Sequence, residues 1–502
     1  WFVALWPLAG GSFAGLSWLH VAISALAMLL PTYLMGCLFP LVSDIVTRRF
    51  AQLGQRLGTA YAVNTLGGIV GSFLSGFVLI PRWGLPWAIV VAAAVNLVAG
   101  FVASVAARPG RSMMRLTVAA ASVAGVLVLS QVVVLPMWRR QVFAAGVYAN
   151  PNAYRRGAVA ELSADADLLY YRDGLNATVS VHRTGESIFL KVGGKTDASN
   201  GADMGTQVLS AHIPMLLHGH PERVLVIGLG SGVTLGHAGR YPVQLLHCAE
   251  IEEAVIEGAR WFKDYNYAIH EDPRVTFFAA DGRNVLLASP QSYDVIISEP
   301  SNPWMAGLAY LFTREFYQLA KQRLAPGGVM CQWLQLYRIF PQDVKLVLKT
   351  FHEEFPHVSV WSSIHGDLLL VGSLQPHDVD FGQLAERMAQ PRVREALQVV
   401  NVDRPEVLLQ LFLFGNAELD QLTADTSWLH EDDLPWLEFS APKALYAGPT
   451  LAMNVGGLER MKSQPAQIAR GYDSTLETAD FYRAMGKLWN HRLQLDKAKA
   501  HV

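Results

Sequence analysis

Charge and cysteine are both scarce in this chain. Residues 1–138 contain one acidic residue, Asp44, with seven arginines and no lysine, and the first lysine is Lys191. The 502 residues include only three cysteines, far apart, which argues against a disulfide framework or a cysteine-built zinc site. The net charge of −2 gives no reason to expect a nucleic-acid partner. We therefore expect neither a metal nor a nucleic acid to take part in the function.

Long apolar runs take the place of charge in the N-terminal part. Four of them are each long enough to cross a bilayer, which needs about 20 residues. They lie at about 17–43, 58–80, 84–107 and 115–137. Soluble core helices are the alternative, but four runs in succession favour a membrane. We predict a multi-pass α-helical membrane domain over residues 1–140, with a lipid bilayer as its partner. Because the chain begins at Trp1 within apolar sequence, we also expect it to be a fragment of a longer membrane protein.

The arginines of this part give conflicting signals about topology. Two inter-helix loops rich in arginine lie two crossings apart, and the positive-inside tendency places both in the cytoplasm. If the crossings are counted onward from these loops, the domain that follows the fourth crossing lies outside the cytoplasm. Arg139 and Arg140 come directly after that crossing, however, and favour the cytoplasmic side for the following domain. We favour the cytoplasmic side, and the sequence leaves the topology open.

From about residue 141 the composition becomes that of a water-soluble protein. Alternating segments at 177–183 and 187–192 predict a β-hairpin in a small β-rich domain over 141–215. Strands are then predicted at 223–227, 243–248, 274–278, 293–298 and 327–333, and helices from 232, at 252–262 and at 313–324. This alternation predicts a parallel sheet covered on both faces, in a Rossmann-like (class I methyltransferase-like) α/β domain over 216–375. Residues 376–502 are predicted to be mainly helical.

The first strand of that domain runs into a glycine-rich turn. Gly228, Gly230 and Gly232 let the backbone turn sharply and let a ligand lie against bare main chain. The second strand ends at Glu250, about 20 residues further on, where a carboxylate can hold ribose hydroxyls. Strand, glycines, helix, strand and acid in this order indicate an adenosine-containing cofactor.

Polar residues also follow the third and fourth strands, at the edge where ligands bind in such sheets. Asp281 and Gly282 follow the third strand, and Asp281 is a candidate to bind an adenine amino group. An Asp-Gly turn is the alternative there. Glu299 follows the fourth strand within a proline-rich loop, where a carboxylate would project beside the cofactor. A helix cap is its alternative role.

Over residues 165 to 375 the chain resembles the spermidine synthase (polyamine aminopropyltransferase) family. It is most similar to a bacterial branch fused behind transporter-like membrane helices, and this resemblance implies a location in a bacterial inner membrane. The matching segments are Gly205-Thr-Gln-Val-Leu-Ser-Ala-His-Ile-Pro-Met215, 218–232, Ala249-Glu-Ile-Glu252, Asp281-Gly282, Glu299-Pro-Ser-Asn-Pro303, Leu311-Phe-Thr-Arg-Glu-Phe-Tyr317 and Gly327-Gly-Val-Met-Cys-Gln-Trp333. Leu30-Pro-Thr-Tyr-Leu-Met-Gly36 and Tyr61-Ala-Val-Asn-Thr-Leu-Gly67 fit the fused branch.

The resemblance implies transfer of an aminopropyl group from decarboxylated S-adenosylmethionine to an amine acceptor, leaving methylthioadenosine. It implies that Gln207 and the 228–232 loop, which includes Ser231, hold the nucleoside. Glu250 would hold the ribose and Asp281 the adenine. Glu299 would draw a proton from the attacking amine. A second copy of the chain, in a homodimer, is left open as a partner.

The chain departs from the family pattern at four positions. The family usually has aspartate where Ser231, Glu299 and Asn302 stand, and glutamate where Val208 stands. The acids at the last two positions normally help to hold a cationic diamine, so binding of the acceptor is less well supported than binding of the nucleoside. Two acids in the preceding loop could replace them in substrate binding, with solvated loop positions as the alternative. They are Asp197 and Asp203, and Asn302 is a further candidate to contact the substrate.

Three functions remain open from the sequence. The first is a membrane-anchored aminopropyltransferase. The second is a methyltransferase that uses intact S-adenosylmethionine on the same fold. The third is a membrane sensor or transporter whose soluble domain binds a nucleoside or polyamine without turnover.

Overall fold

The chain folds into two compact units, seen in a computed structural model. The model describes residues 5–9, 12–46, 53–106, 140–148, 166–364, 366–377 and 379–500, and the single positions 125 and 138. One unit comprises residues 1–180 with 193–195, and the other comprises residues 181–192 with 196–502. The predicted fourth apolar run and the arginine-rich loop at 108–115 lie almost wholly outside the described residues. The other arginine-rich loop is described in part, since only residues 47–52 of it lie outside the described ranges. The predicted domain boundaries at 140, 215 and 375 stay predictions.

The first unit is built mainly from long apolar helices. Its helical segments are a 3₁₀ turn (Trp6–Ala9), α1 (Phe13–Val46), α2 (Leu53–Leu74), a π-helix (Ser75–Leu79), α3 (Ile80–Trp83), α4 (Leu85–Ala106) and α5 (Arg140–Phe143). Two stretches, Phe13–Asp44 and Gly54–Trp83, are long and apolar enough to cross a membrane, judged by length and composition. A third, Leu85–Gly100, is apolar but shorter. The prediction of a multi-pass domain therefore stays a prediction.

A four-stranded sheet follows, and the division between the units passes through it. Its strands, in chain order and in spatial order, are β1 (Asp167–Asp173), β2 (Thr178–Thr184), β3 (Ser187–Val192) and β4 (Lys195–Ser199). β2 and β3 fall within one residue of the two strands predicted from alternation. They belong to this larger sheet, so a separate hairpin domain is not confirmed.

An eight-stranded sheet forms the centre of the second unit. Its strands are β5 (Arg223–Ile227), β6 (Leu245–Glu250), β7 (Val275–Ala279), β8 (Tyr293–Ser298), β9 (Leu324–Gln335), β10 (His357–Ile364), β11 (Asp367–Ser373) and β13 (Phe412–Phe414). The order is β13-β10-β11-β9-β8-β5-β6-β7. The five strands β5 to β9 are parallel. The residues of β5 from Val224 to Ile227 are buried, as is typical of an apolar strand covered on both faces.

Three further strands, which the sequence did not predict, extend this sheet with antiparallel pairing. β11 is antiparallel to β9, and β10 is antiparallel to both β11 and β13. The chain returns directly from β10 to β11 through two residues, which permits only antiparallel pairing because a parallel return needs a long crossover. The sheet is therefore mixed, and its antiparallel strands lie beside the parallel strands whose carboxyl ends carry the predicted cofactor residues.

Helices cover both faces of this sheet and continue to the C-terminus. They are α6 (Met204–His218), α7 (Val233–Ala238), α8 (Glu253–Gly258), α9 (Gly282–Ala288), α10 (Arg314–Gln322), α11 (Pro341–Glu354), α12 (Phe381–Ala389), α13 (Pro391–Gln398), α14 (Pro405–Leu409), α15 (Asn416–Thr423), α16 (Trp436–Ala444), α17 (Thr450–Glu459) and α18 (Ala479–Ala500). A parallel pair, β12 (Val379–Asp380) with β14 (Ala469–Arg470), lies among them. The region after 375 is mainly helical, as predicted.

Candidate active site

The glycine turn after β5 has backbone geometry that other residues rarely adopt. Gly228, Gly230 and Gly232 have φ values of +89°, +53° and +79°. A Cβ at Gly228 would lie 2.3 Å from the main-chain oxygen of Glu299. The nucleoside loop and the loop after β8 therefore touch backbone to backbone, which only glycine permits at this position.

The carboxylate of Glu250 holds this turn from the end of β6. Its Oε2 accepts a hydrogen bond from the Leu229 N–H at 3.0 Å, and its Oε1 accepts one from the Glu252 N–H at 3.0 Å. Each carboxylate oxygen has a second lone pair, so ribose hydroxyls can still donate to Glu250. Burial, with the nearby charge of Asp197, raises the pKa of Glu250 to about 7. The structure therefore places Glu250 beside the turn, as its predicted role requires.

The side chain of Gln207, on α6, joins the turn to the loop before the helix. Its Nε2 donates to the Ser199 main-chain oxygen at 2.9 Å and to Asp203 Oδ2 at 3.1 Å. Its Oε1 accepts from the Ser231 hydroxyl. Gln207 and Ser231, both predicted nucleoside contacts, are thus in direct contact with each other.

Glu299 is held by Thr234, a residue of α7 that the sequence did not single out. The two side-chain oxygens, Thr234 Oγ1 and Glu299 Oε2, lie 2.5 Å apart, and Thr234 Oγ1 also lies 2.9 Å from the Gln207 main-chain oxygen. A threonine hydroxyl has a single proton to donate. Thr234 therefore donates either to Glu299 Oε2 or to the Gln207 main-chain oxygen at any one time.

The electrostatic surroundings of Glu299 favour its protonated form. Burial raises the pKa of Glu299 to about 7, and the negative charges of Asp367 and Asp203 add to the effect. The hydrogen bond from Thr234 lowers the pKa of Glu299 and so opposes this effect in part. A carboxyl group with a pKa near neutrality can accept and release a proton at working pH, which is what a general base needs.

The other predicted residues are spread along the same edge of the sheet. Asp281 caps α9 by accepting from the Asn284 N–H at 3.1 Å, a role that the sequence did not predict for it. Its adenine contact stays a prediction. Gly282 packs on β5, where a Cβ would lie 2.4 Å from the Ile227 Cγ2.

The two loop acids proposed for substrate binding both have polar contacts within the site. Asp197 accepts from the Ser301 hydroxyl at 2.6 Å. Asp203 accepts from the Ser199 N–H at 2.6 Å as well as from Gln207. Asp203 therefore orders the loop that ends at α6, and its role toward a substrate stays a prediction.

One side of the crevice contains Asn302, a predicted substrate contact, together with Tyr337 and Asp367, which the sequence did not single out. Asn302 is fully buried, and its Nδ2 donates to the Tyr337 hydroxyl at 3.4 Å. Asp367, at the start of β11, accepts from the Thr206 hydroxyl at 2.8 Å. Burial raises the pKa of Tyr337, and the charges of Asp367, Asp197 and Asp203 raise it further. The run 357–364 followed after two residues by 367–373 is a hairpin signal that could have revealed Asp367.

The assembled residues suit a nucleoside ligand better than a metal. Within the described ranges, no group of three or more His, Cys, Asp or Glu side chains is arranged to hold a metal ion. The bare turn at Gly228–Gly232, with Glu250 behind it, can cradle a nucleoside on exposed main chain. The acids on the other side of the turn give the crevice a negative potential suited to a cation.

Part of the chain that contains this site is similar to a known protein family. Residues 205–364 match the family described as "Spermine/spermidine synthase domain". This part of the chain is therefore similar to the spermidine synthase family. The family segment begins within α6 and ends with β10, so it contains Gln207, the glycine turn, Glu250, Asp281, Glu299 and Asn302. Asp197, Asp203 and Asp367 lie outside it.

The curated relatives match only parts of this chain. It is 32% identical over 170 residues to a spermidine synthase of Dictyostelium discoideum, covering 34% of this chain and 60% of that protein. It is 37% identical over 123 residues to a polyamine aminopropyltransferase of Enterobacter sp. (strain 638), covering 24% of this chain and 42% of that one. A crystal structure of spermidine synthase from Thermotoga maritima is similar with a TM-score of 0.43 and 23% identity, covering 52% of this chain and 88% of that one. The chain thus spans about half the length of these two curated relatives.

Proposed function

We propose that this chain is an aminopropyltransferase that moves an aminopropyl group from decarboxylated S-adenosylmethionine to an amine. The observation that carries the proposal is the place of Glu299. Its carboxyl group lies 2.5 Å from Thr234, on the helix that follows the glycine turn, and its pKa is raised to about 7. A proton acceptor therefore stands beside the turn that would hold the donor.

The donor supplies a carbon activated by its neighbouring sulfonium, with methylthioadenosine as a neutral leaving group. The chain has to hold the nucleoside, align an unprotonated amine with that carbon and accept a proton. We assign the first task to the Gly228–Gly232 turn with Gln207 and Glu250. Glu299 takes the proton when the new C–N bond forms and the C–S bond breaks.

A product assay on the full-length protein in detergent tests the proposal. Decarboxylated and intact S-adenosylmethionine are each offered with putrescine, spermidine or cell extract, and the products are separated by mass. We expect an aminopropylated amine and methylthioadenosine from the decarboxylated donor. Methylated product from the intact donor would instead establish a methyltransferase. Tight binding of methylthioadenosine without turnover from either donor would leave the sensor or transporter function.

We also propose that the chain is anchored in a membrane through its first unit. Two stretches are long and apolar enough to span, and large apolar side chains on them are exposed, with Leu26 at 86% and Trp18 at 74%. An apolar surface of this size is unfavourable in water because its side chains are not buried against other apolar groups. The chain should therefore require detergent for extraction.

Fractionation of cells that express the full chain checks this anchoring. We expect all of it in the membrane pellet, resistant to carbonate and released by detergent. Residues 166–502 expressed alone would show whether the second part follows the pellet without the helices. Recovery of the full chain in the soluble fraction without detergent would refute the anchor.

A further inference from the structure

The end of β1 contacts the turn between two apolar helices of the first unit. Asp173, the last residue of β1, is 9% exposed, and its Oδ2 accepts a hydrogen bond from the Leu85 N–H at 3.1 Å. Leu85 is the first residue of α4, and the first N–H groups of a helix have no partner within it. A carboxylate at this end also interacts favourably with the helix dipole. Asp173 therefore caps an apolar helix that begins 88 positions earlier in the chain.

The carboxylate of Asp173 is oriented by its own sheet. Its Oδ1 accepts from the Tyr171 hydroxyl at 3.0 Å and from the Thr178 hydroxyl at 2.8 Å, so residues of two neighbouring strands hold it. On the other side, Gly84 has a φ of +83°, and a Cβ there would lie 3.2 Å from Asp173 Oδ2. The turn thus meets the carboxylate at a distance that leaves little room for a side chain. The contact is therefore specific in shape as well as in charge.

A second contact holds the same sheet to the region of α5. Gly194 lies in the turn between β3 and β4, and a Cβ at Gly146 would lie 2.0 Å from its main-chain oxygen. The guanidinium of Arg140, in α5, lies over the Tyr171 ring, 5.4 Å from its centre. All of these residues belong to the first unit. The sheet therefore meets the helical part of this unit at two separate places.

These contacts fix the side of the membrane on which the sheet lies. Gly84 directly follows the stretch Gly54–Trp83, which is long and apolar enough to span. With that stretch in the bilayer, Gly84 and the start of α2 lie on opposite sides. Because β1 contacts the turn at Gly84, it lies on the same side as the turn, whatever path the chain takes after α4. Among the residues described after 166, no helix is long and apolar enough to cross again.

We propose that Asp173 docks the four-stranded sheet on the turn at Gly84 and so places the candidate active site on the same side of the membrane as this turn, opposite the loop that joins α1 to α2. This rests on the proposed membrane anchor and specifies the side on which the site lies. Crossings counted from the sequence also place the domain opposite the two arginine-rich loops. The docking contact therefore supports that count rather than the side favoured by Arg139 and Arg140.

Cysteine labelling tests the side in membranes that contain the full chain. Cys37→Ser removes the partly exposed cysteine, and the other two cysteines are buried. Single cysteines at Gly54, Trp83 and Leu175, all exposed positions, are treated with a membrane-impermeant maleimide in spheroplasts and in inside-out vesicles. We expect Trp83→Cys and Leu175→Cys to react in the same preparation, and Gly54→Cys to react in the other.

Cross-linking measures the docking contact without any change at Asp173. Trp83 directly precedes the turn and Leu175 lies two residues after Asp173, so the double variant Trp83→Cys/Leu175→Cys has one cysteine on each side of the contact. We expect a flexible bismaleimide to join the two cysteines within one chain. Mass spectrometry of the digested protein identifies the joined peptides.

Hydrogen exchange of the Leu85 N–H reports the contact directly, since Asp173 is its acceptor. Asp173→Ala should speed this exchange by about 2- to 30-fold, the effect of losing a helix cap, with exchange in β3 unchanged. Asp173→Asn should have a smaller effect because its amide oxygen can still accept. Asp167→Ala is the matched control, since Asp167 is exposed at the other end of β1, and it should leave the exchange of the Leu85 N–H unchanged.

Two results would overturn the docking proposal while the anchor stands. One is reaction of Leu175→Cys in the same preparation as Gly54→Cys, with Trp83→Cys in the other. The second is absence of the cross-link together with unchanged exchange of the Leu85 N–H in Asp173→Ala. Failure of the anchor itself gives a different result and would overturn both proposals, because the full chain would then appear in the soluble fraction.

Discussion

Glu299→Gln should lower kcat by a factor of about 100 to 10,000, the usual range for loss of a general base. Glutamine keeps the shape of the side chain, and its amide can still contact Thr234, but it cannot accept the proton of the attacking amine. The nucleoside turn is untouched, so methylthioadenosine should bind within about a factor of two of wild type. Steady-state kinetics with putrescine and calorimetry with methylthioadenosine measure the two effects on the same preparations.

The pH profile identifies the base independently. Because Glu299 has a pKa raised to about 7 and must be ionised to act, kcat/KM of wild type should fall as pH decreases below about 7. The variant should lack this acid limb, whereas Glu299→Asp should retain it at a reduced rate. An unchanged kcat in Glu299→Gln, or an acid limb that survives in it, would exclude Glu299 as the base.

Glu250→Ala should weaken methylthioadenosine binding by roughly 1.5–3 kcal/mol, the value of hydrogen bonds to a charged group. The variant loses the proposed ribose acceptor and the carboxylate that holds the Leu229 and Glu252 N–H groups. Binding to wild type should also weaken as pH decreases below about 7, since the ionised carboxylate accepts from the ribose and its pKa is raised to about that value. Calorimetry across pH 6 to 8.5, spanning about one unit or more on each side, measures both effects.

A neighbouring acid provides the control for this variant. Glu252 is also buried and accepts from the Ala254 N–H at 3.0 Å, where it caps α8. Glu252→Gln should leave nucleoside affinity within about a factor of two, because the cap faces its own helix. Equal losses in the two variants would mean that Glu250 acts only by stabilising the fold. Unchanged affinity of Glu250→Ala for methylthioadenosine would show that Glu250 does not bind the nucleoside.

The parallel half of the sheet could be predicted closely from sequence. β5 and β8 have the predicted bounds, 223–227 and 293–298, because apolar runs bounded by turn residues leave little choice of structure. β6 begins at Leu245 and ends at Glu250, two residues later than predicted, since nothing in the local sequence marks where hydrogen bonding to β5 stops. The order of strands and acids was enough to place Glu250 and Glu299 at one edge.

Two residues of the crevice, Asp367 and Thr234, could not be predicted from local sequence. Asp367 resembles any acid at the start of an apolar run, and it reaches the site only because β11 pairs with β9 in a register that sets it opposite Gln335. Thr234 likewise lies in an ordinary helix, and its contact with Glu299 depends on packing between residues 65 positions apart. Long-range pairing of this kind leaves no periodicity in the sequence.

The backbone contact at Gly228 limits how the two loops of the site can move. With the Glu299 carbonyl seated where a Cβ would stand, neither loop can shift without displacing the other. Their relative position is thereby fixed when the chain folds, so the entropy of ordering them is lost before any ligand arrives. A nucleoside and a proton acceptor held at constant separation need no closing motion to meet, and the barrier to reaction is lowered by that prior alignment.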